Sequence, residues 1–435
     1  MLLDPIVLAD RSNVTTSALY FTKYEFGPII CPRAGCMNVY KGYVFVAWYR
    51  GGMKNRHLML SRTKVGSSDW LHVVFPHQHI GFKGCESIGD SHNTVSMAVC
   101  PINDSIHLLF DMHAYRPSQF PNDFFNYIYS IDGAATVNDD LWKMDLFHPK
   151  QNYLKKGEDY SRVTYPGFFT TPDGLLIAKY RVGGHTDATM FLNFYDGKNW
   201  SAPKKWNNTR KCGIYGGFSI RSDRKMDMVF ATRTCADREK GYCMNRGVYY
   251  AYSNCADGFD TWFNLEGHKQ KAPITNINQL KLFDPAQPGD KYSNPSFAMT
   301  NDGSMHFLAP IKRNNQSIAM YFFKRKDDTT FRRSIIETGD LNNVQGLIFT
   351  TNNTVFLVSL KKERPMIQSA AAGTDCFRTE YYSDKGPGYR TVVTNLWKDA
   401  EGNYHLFLCA MIANGKKDEQ AMELLHFLLP DTKNW

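Results

Sequence analysis

Apolar residues fall in short runs of strand length, separated by polar turns, and the same unit returns along the whole chain. One copy reads Val39-Tyr40-Lys41-Gly42-Tyr43-Val44-Phe45-Val46-Ala47-Trp48-Tyr49, a strand pair about a Lys-Gly turn. His57-Leu58-Met59-Leu60-Ser61-Arg62 supplies a third strand and Trp70-Leu71-His72-Val73-Val74 a fourth. Further copies begin at residues 93, 167, 217, 296, 346 and 391, each turning through polar residues such as Asn103-Asp104-Ser105, Pro172-Asp173-Gly174 or Asn301-Asp302-Gly303 into a second apolar run. Seven copies at intervals of about 45–75 residues predict a propeller, in which each blade gains its core from its neighbours. The expected fold is therefore all-β: a seven-bladed β-propeller forming a single domain over residues 1–435. Ser17-Ala18-Leu19-Tyr20-Phe21 is expected to pair into the last blade and close the ring. The competing architecture is a β-sandwich followed by a second β domain. Tyr129-Ser130-Ile131-Asp132-Gly133 resembles the Ser-x-Asp-x-Gly pattern of an Asp-box turn, and Ser253-Asn254-Cys255-Ala256-Asp257-Gly258 resembles it with an insertion.

Length alone would suggest two or three domains, but a closed all-β ring exceeds that prior. Aromatic residues make up 14% of the 435 positions, which favours strands, and no long helical period competes. The net charge of +9 suits an anionic partner. There is no Lys/Arg-rich tail or nucleic-acid motif, so nucleic acid is not the expected partner and an acidic polysaccharide is. No stretch approaches the roughly 20 apolar residues that span a bilayer. Met1-Leu2-Leu3 runs at once into Asp4-Pro5, leaving no visible signal peptide, and the chain reads as the mature form of a secreted monomer with a start Met. Of ten cysteines, Cys100 and Cys409 lie in apolar strand runs, while Cys212, Cys235, Cys243 and Cys255 fall in one region. That cluster is compatible with free thiols, a disulfide or a structural metal, and its spacing is not that of a zinc finger.

The candidate chemistry lies in three consecutive units. His92, in Gly89-Asp90-Ser91-His92-Asn93-Thr94, precedes an inner strand, and the next strand ends in Phe110-Asp111-Met112-His113. A hairpin returns both histidines to one end of the blade. Tyr165 stands at the same topological point in the next blade, whose second strand ends in Tyr180-Arg181, and Arg233 ends the matching strand of the blade after that. Two histidines, a tyrosine and two arginines are thus expected around one face. An arginine fork neutralises a carboxylate and acidifies the proton α to it. Histidine or tyrosine can remove that proton, tyrosine can protonate a leaving oxygen, and a nearby arginine favours the phenolate. This is the equipment for β-elimination at a 4-linked uronate, with no cofactor needed for catalysis.

These strings, with Thr164-Tyr165-Pro166 and Tyr180-Arg181-Val182-Gly183-Gly184, resemble the BNR-repeat propeller polysaccharide lyases, the ulvan lyases and related rhamnose–glucuronate lyases. The resemblance is closest over residues 85–262. It implies His92 and Tyr165 as the base–acid pair, His113 in support and Arg181 on the uronate carboxylate. Arg233 and Asn93 would bind substrate, and cleavage would fall next to glucuronate or iduronate. It also implies a structural metal, zinc or calcium, partly held by cysteine, with Cys235, Cys243 and Cys255 as the candidate ligands. Two other readings stand beside the lyase: a non-catalytic glycan-binding propeller, and a sialidase-like hydrolase using a carboxylate such as Asp90 or Asp111. The arginine triad and Tyr–Glu pair of a sialidase cannot be assembled here.

Overall fold

Almost every apolar run is an extended strand in the computed structural model, which describes residues 6–221, 223–242, 244–254, 259–413 and 418–430. Consecutive strands pair antiparallel into seven sheets, arranged as a seven-bladed β-propeller. Second strands such as Tyr43–Tyr49, Met226–Arg233 and Thr354–Lys361 are buried at nearly every position. A middle strand of a blade is covered on both faces by neighbouring blades, which is why its sequence is continuously apolar instead of alternating. Large side chains fill the wedges between blades: Trp206 stands edge-on to Phe230 and Trp262, at 5.4 and 5.6 Å between ring centroids.

The ring closes through the N-terminal segment, as expected, but over a different span. Val7–Leu19 pairs antiparallel with Glu419–Leu428 of blade seven, so the strand begins ten residues before Ser17 and stops short of Tyr20. Three register shifts interrupt the pairing. They break the period of two, and the polar run Asp10-Arg11-Ser12-Asn13 consequently reads as loop. Arg11 belongs to the strand nonetheless, bonded to Glu423 at 2.8 Å. Beyond Leu19, Phe21 N–H donates to Pro28 O and the chain enters a loop over the upper face.

Blade two has three strands, Val95–Val99, Ile106–Phe110 and Tyr127–Tyr129, with short 3-10 turns following in place of a fourth. Its Asp-box turn is clamped to the neighbouring hairpin, Gly133 N–H donating to Asn103 O and Asn103 Nδ2 to Asp132 Oδ1. The second such turn lies mostly outside the described residues. Residues 115–126 are tied down beside blade two, where Lys150 Nζ donates to Asn122 O, Asp123 Oδ1 and Asn126 Oδ1.

Candidate active site

The site is built where the inner strands of blades two, three and four begin. Before blade two, the Asp90 carboxylate accepts the His92 N–H, an Asx turn that sets the imidazole over its own aspartate. Asp90 is fully buried, and each of its oxygens takes one imidazole: Oδ1 bonds His92 Nδ1 at 2.8 Å and Oδ2 bonds His113 Nδ1 at 2.6 Å. The two rings lie parallel, 4.2 Å apart at 11°. With Nδ1–H given to the carboxylate, each histidine keeps the lone pair on Nε2. Burial alone would favour a neutral Asp90, but the hydrogen bonds from His113 and His92 outweigh it and hold the carboxyl well below the usual range. Burial pushes the His92 imidazole down despite its Asp90 hydrogen bond.

Blade three supplies Tyr165 from a β-bulge. In the pairing of Val163–Thr170 with Leu176–Val182, Gly167 faces Lys179 and Thr164 faces Arg181, so Tyr165 and Pro166 together oppose Tyr180. Pro166 cannot donate to the ladder, and a bulge accommodates it. Tyr165 consequently adopts φ 53°, a left-handed conformation rare for an aromatic residue and characteristic of functional sites. The segment is stitched to blade two by a bridge between His113 and Thr164 and by the Ala114 N–H to Val163 O bond. The Tyr165 ring lies 5.4 Å from that of His92. Neighbouring arginines were expected to favour its phenolate. Burial dominates instead and pushes the phenol up to about 12, against the pull of Arg181 and Arg233.

The cationic end is a stack. The Tyr215 ring lies between two guanidiniums, Arg181 at 4.2 Å and Arg233 at 4.4 Å, and Arg181 also lies 5.6 Å from the Tyr165 ring. Arg181 Nη2 donates to Tyr215 Oη at 3.0 Å, Tyr215 Oη bonds His185 O, and Arg233 Nε donates to Asn245 Oδ1. Arg181 Nε is buried and has no hydrogen-bond partner among the described residues. Arg238 Nη1 lies 3.2 Å from His185 Nε2, and burial together with Arg238, Arg233 and Arg181 pushes that imidazole down. These groups enclose an open cavity of about 430 Å³, within the range of roughly 300–1,000 Å³ common for small-ligand sites.

Five of the six expected non-cysteine residues therefore meet: His92, His113, Tyr165, Arg181 and Arg233 all line the cavity. Asn93 does not. It is fully buried, its amide donating to Gly81 O and Tyr115 Oη, so it supports the turn below His92 and is not open to substrate. Tyr215, His185 and Arg238 were missed in the sequence, as was Phe26 at the rim. Tyr215 was recoverable, since Gly213-Ile214-Tyr215-Gly216 opens blade four at the point Tyr165 opens blade three. Cys235 is exposed at the start of the short helix Cys235–Glu239, whereas Cys243 and Cys255 lie outside the described residues. The described cysteines are all unpaired.

Asp90, His92 and His113 also have the composition of a metal cluster. Their contacts of 2.6 and 2.8 Å are hydrogen-bond lengths, however, and ligands held about 2.0–2.2 Å from one ion stand farther apart. As arranged, the trio is held together by hydrogen bonds. A neutral imidazole with a free lone pair, a protonated phenol and guanidiniums with spare donors can together remove one proton, deliver another and hold an anion.

The BNR repeat-containing family model matches residues 43–338. The chain is 32% identical over 429 residues to the long isoform of ulvan lyase from Pseudoalteromonas sp. (strain PLSV), covering 87% of this chain and 42% of that protein. It thus spans less than half the length of that relative. It is 28% identical over 447 residues to the short isoform of ulvan lyase from Alteromonas sp. (strain LOR), covering 88% of this chain and 83% of that one. Among solved structures, polysaccharide lyase Uly1 superposes with a TM-score of 0.87 at 25% identity, covering 98% of this chain and all of the other. The PL25 ulvan lyase shares the fold, with a TM-score of 0.66 at 11% identity over 97% of this chain and 96% of that one. Among the described residues no helix is long and apolar enough to cross a membrane.

Proposed function

From the premise that the chain belongs to the BNR repeat-containing family, we propose that it is a polysaccharide lyase that cleaves an acidic, ulvan-like polysaccharide by β-elimination next to glucuronate or iduronate. The observation that carries this reading is the pocket itself: a neutral imidazole, a protonated phenol and two guanidiniums surround one cavity sized for a sugar. Its relatives, ulvan lyases and a polysaccharide lyase of the same fold, support the reaction class.

The uronate carboxylate binds at the cationic end, where the guanidiniums of Arg181 and Arg233 both stack on Tyr215. Neutralising that carboxylate stabilises the enolate-like charge that builds up when the C5 proton leaves. His92 Nε2 takes the proton. The buried Asp90 carboxylate stabilises the imidazolium formed, and His113, bonded to the other oxygen, fixes Asp90 in place. Tyr165 gives its phenolic proton to the glycosidic oxygen leaving C4. The C5–H and C4–O bonds break, a C4–C5 double bond forms, and the products are an unsaturated uronate end and a free hydroxyl. A phenol held near 12 is protonated at neutral pH, which supports Tyr165 at the leaving group and His92 at C5. An extracellular setting, where such a polymer is met, belongs to the same proposal.

The test is to incubate the protein with ulvan and follow the ultraviolet absorbance of the unsaturated uronate. Tyr165→Phe should lower turnover by about 10²–10⁴-fold while the folded variant still binds polymer. If the parent protein gives no absorbance rise with any uronate polymer, the lyase reading is wrong. Reducing ends appearing without the chromophore would mean hydrolysis instead.

A further inference from the structure

The pocket is a row of ring contacts with unlike ends. Arg181, Tyr215 and Arg233 form one end, Tyr165 and the stacked histidines the middle, and Phe26 the other end. Phe26 comes from outside the three blades that carry the chemistry, on the loop between the ring-closing strand and blade one. Its ring meets both imidazoles at right angles, 4.7 Å from His92 and 5.4 Å from His113, and Phe82 backs it at 5.7 Å. Even so, 49% of its surface is open, and it lines the cavity.

An apolar ring left half open beside proton-transfer groups is held there by the backbone. The loop is laced to the segment that leads into His92. Glu25 N–H donates to Gly89 O, Gly89 N–H to Lys23 O, and Ser91 Oγ to Phe26 O. Gly27 follows at φ 148°, where a Cβ would lie 2.9 Å from Ser91 Oγ. Apart from the histidines, the lining side chains at this end, Ala114 and Thr164, carry no charge, while Arg181, Arg233 and Arg238 lie at or beyond Tyr165.

We infer that Phe26 forms a second sugar subsite, a platform for the C–H face of the pyranose on the far side of the scissile bond from the uronate. The inference rests on the lyase reading for what lies between the two ends. The geometry follows from the row: with the uronate on the arginines and the scissile oxygen at Tyr165, the next ring along the polymer lies over Phe26. An aromatic face suits the axial C–H groups of a pyranose, whose charged substituents can point away from the ring face.

Phe26→Ala and Phe26→Trp test it in steady-state cleavage. Alanine should raise KM roughly 3- to 10-fold, the effect of losing one aromatic contact, with kcat within about twofold. Its pH profile should match the parent's, and tryptophan should restore KM. Calorimetric binding of the polymer to Tyr165→Phe, with and without Phe26→Ala, should show the same loss of affinity with no turnover involved. An unchanged KM and affinity would overturn the platform. So would a shifted pH profile or a fallen kcat at constant KM, which would make Phe26 a cover for the histidines. Because the binding comparison needs no catalysis, failure of the platform and failure of the lyase reaction are told apart.

Discussion

Replacing Asp90 with Asn keeps the shape of the residue beneath the two histidines and removes what orders them. The carboxylate accepts from both imidazoles, at 2.8 and 2.6 Å. An amide has one oxygen, so one Nδ1–H can remain and the other faces an NH₂ group. That imidazole must move its proton to Nε2, giving up the lone pair that acts as base, or turn away. The loss of one charge-assisted hydrogen bond costs about 1.5–3 kcal/mol. Loss of a correctly oriented base lowers turnover by roughly 10²–10⁴-fold. Asp90 does not line the cavity, so KM for the polymer should change little. Initial rates from the unsaturated-uronate absorbance, with a thermal melt as folding control, separate the two effects. The melts carry a pH signature as well. A carboxyl held below its ordinary range stabilises the fold above the unfolded pKa and loses that contribution only as pH falls through the folded value. The gap in melting temperature between parent and variant should therefore persist from neutrality to about pH 5, widening where His92 takes up the proton that Asp90 favours, and close only in stronger acid. A variant that folds and turns over within about threefold of the parent would refute the role given to Asp90 as positioning residue and to His92 as base.

With His92 depressed below its ordinary value, kcat/KM should rise with pH along an acid limb lying below about 6.5. It should then stay level through about pH 9, because Tyr165 remains protonated to about 12; an alkaline fall near neutrality would contradict the acid assigned. Arg181→Lys keeps the charge but loses the fork and the stack on Tyr215, and kcat/KM should fall about 10²–10³-fold in the same assay. Recovery to half the parent value would speak against carboxylate recognition by Arg181. Truncation through Leu19 removes the outer strand of blade seven together with buried Val14 and the Arg11–Glu423 pair, and should abolish a cooperative melt in circular dichroism.

The propeller was legible because its second strands are buried on both faces and therefore write long apolar runs, repeated seven times. The closing strand was legible only at its end, since bulges and polar residues hide Val7 to Asn13 from any period of two. Of the site, residues at matching strand ends could be aligned by topology alone: His92 and Tyr165 open successive blades, and His113, Arg181 and Arg233 close the strands that follow. Asp90 was visible as a neighbour but not as a bridge, because a bridge is defined by two hydrogen bonds, one of them to a residue 23 positions away. Asn93 misled in the opposite direction, its sequence position beside His92 giving no sign that its side chain turns inward to Gly81 and Tyr115. Phe26 left no trace, since its loop belongs to no blade. The protonation of Tyr165 was misjudged because sequence reveals nearby charge sooner than it reveals burial.

The clasp that shuts the ring also sets when the pocket can exist. His92 to Arg181 are made in the first half of the chain and Arg233 soon after, yet the loop bearing Phe26 leaves directly from a strand whose partner, Glu419–Leu428, is synthesised after all the other blades. A nascent chain can assemble blades two to four and still lack an anchored aromatic rim. Competence to grip polymer should thus arrive abruptly, when the C-terminal blade captures the N-terminus.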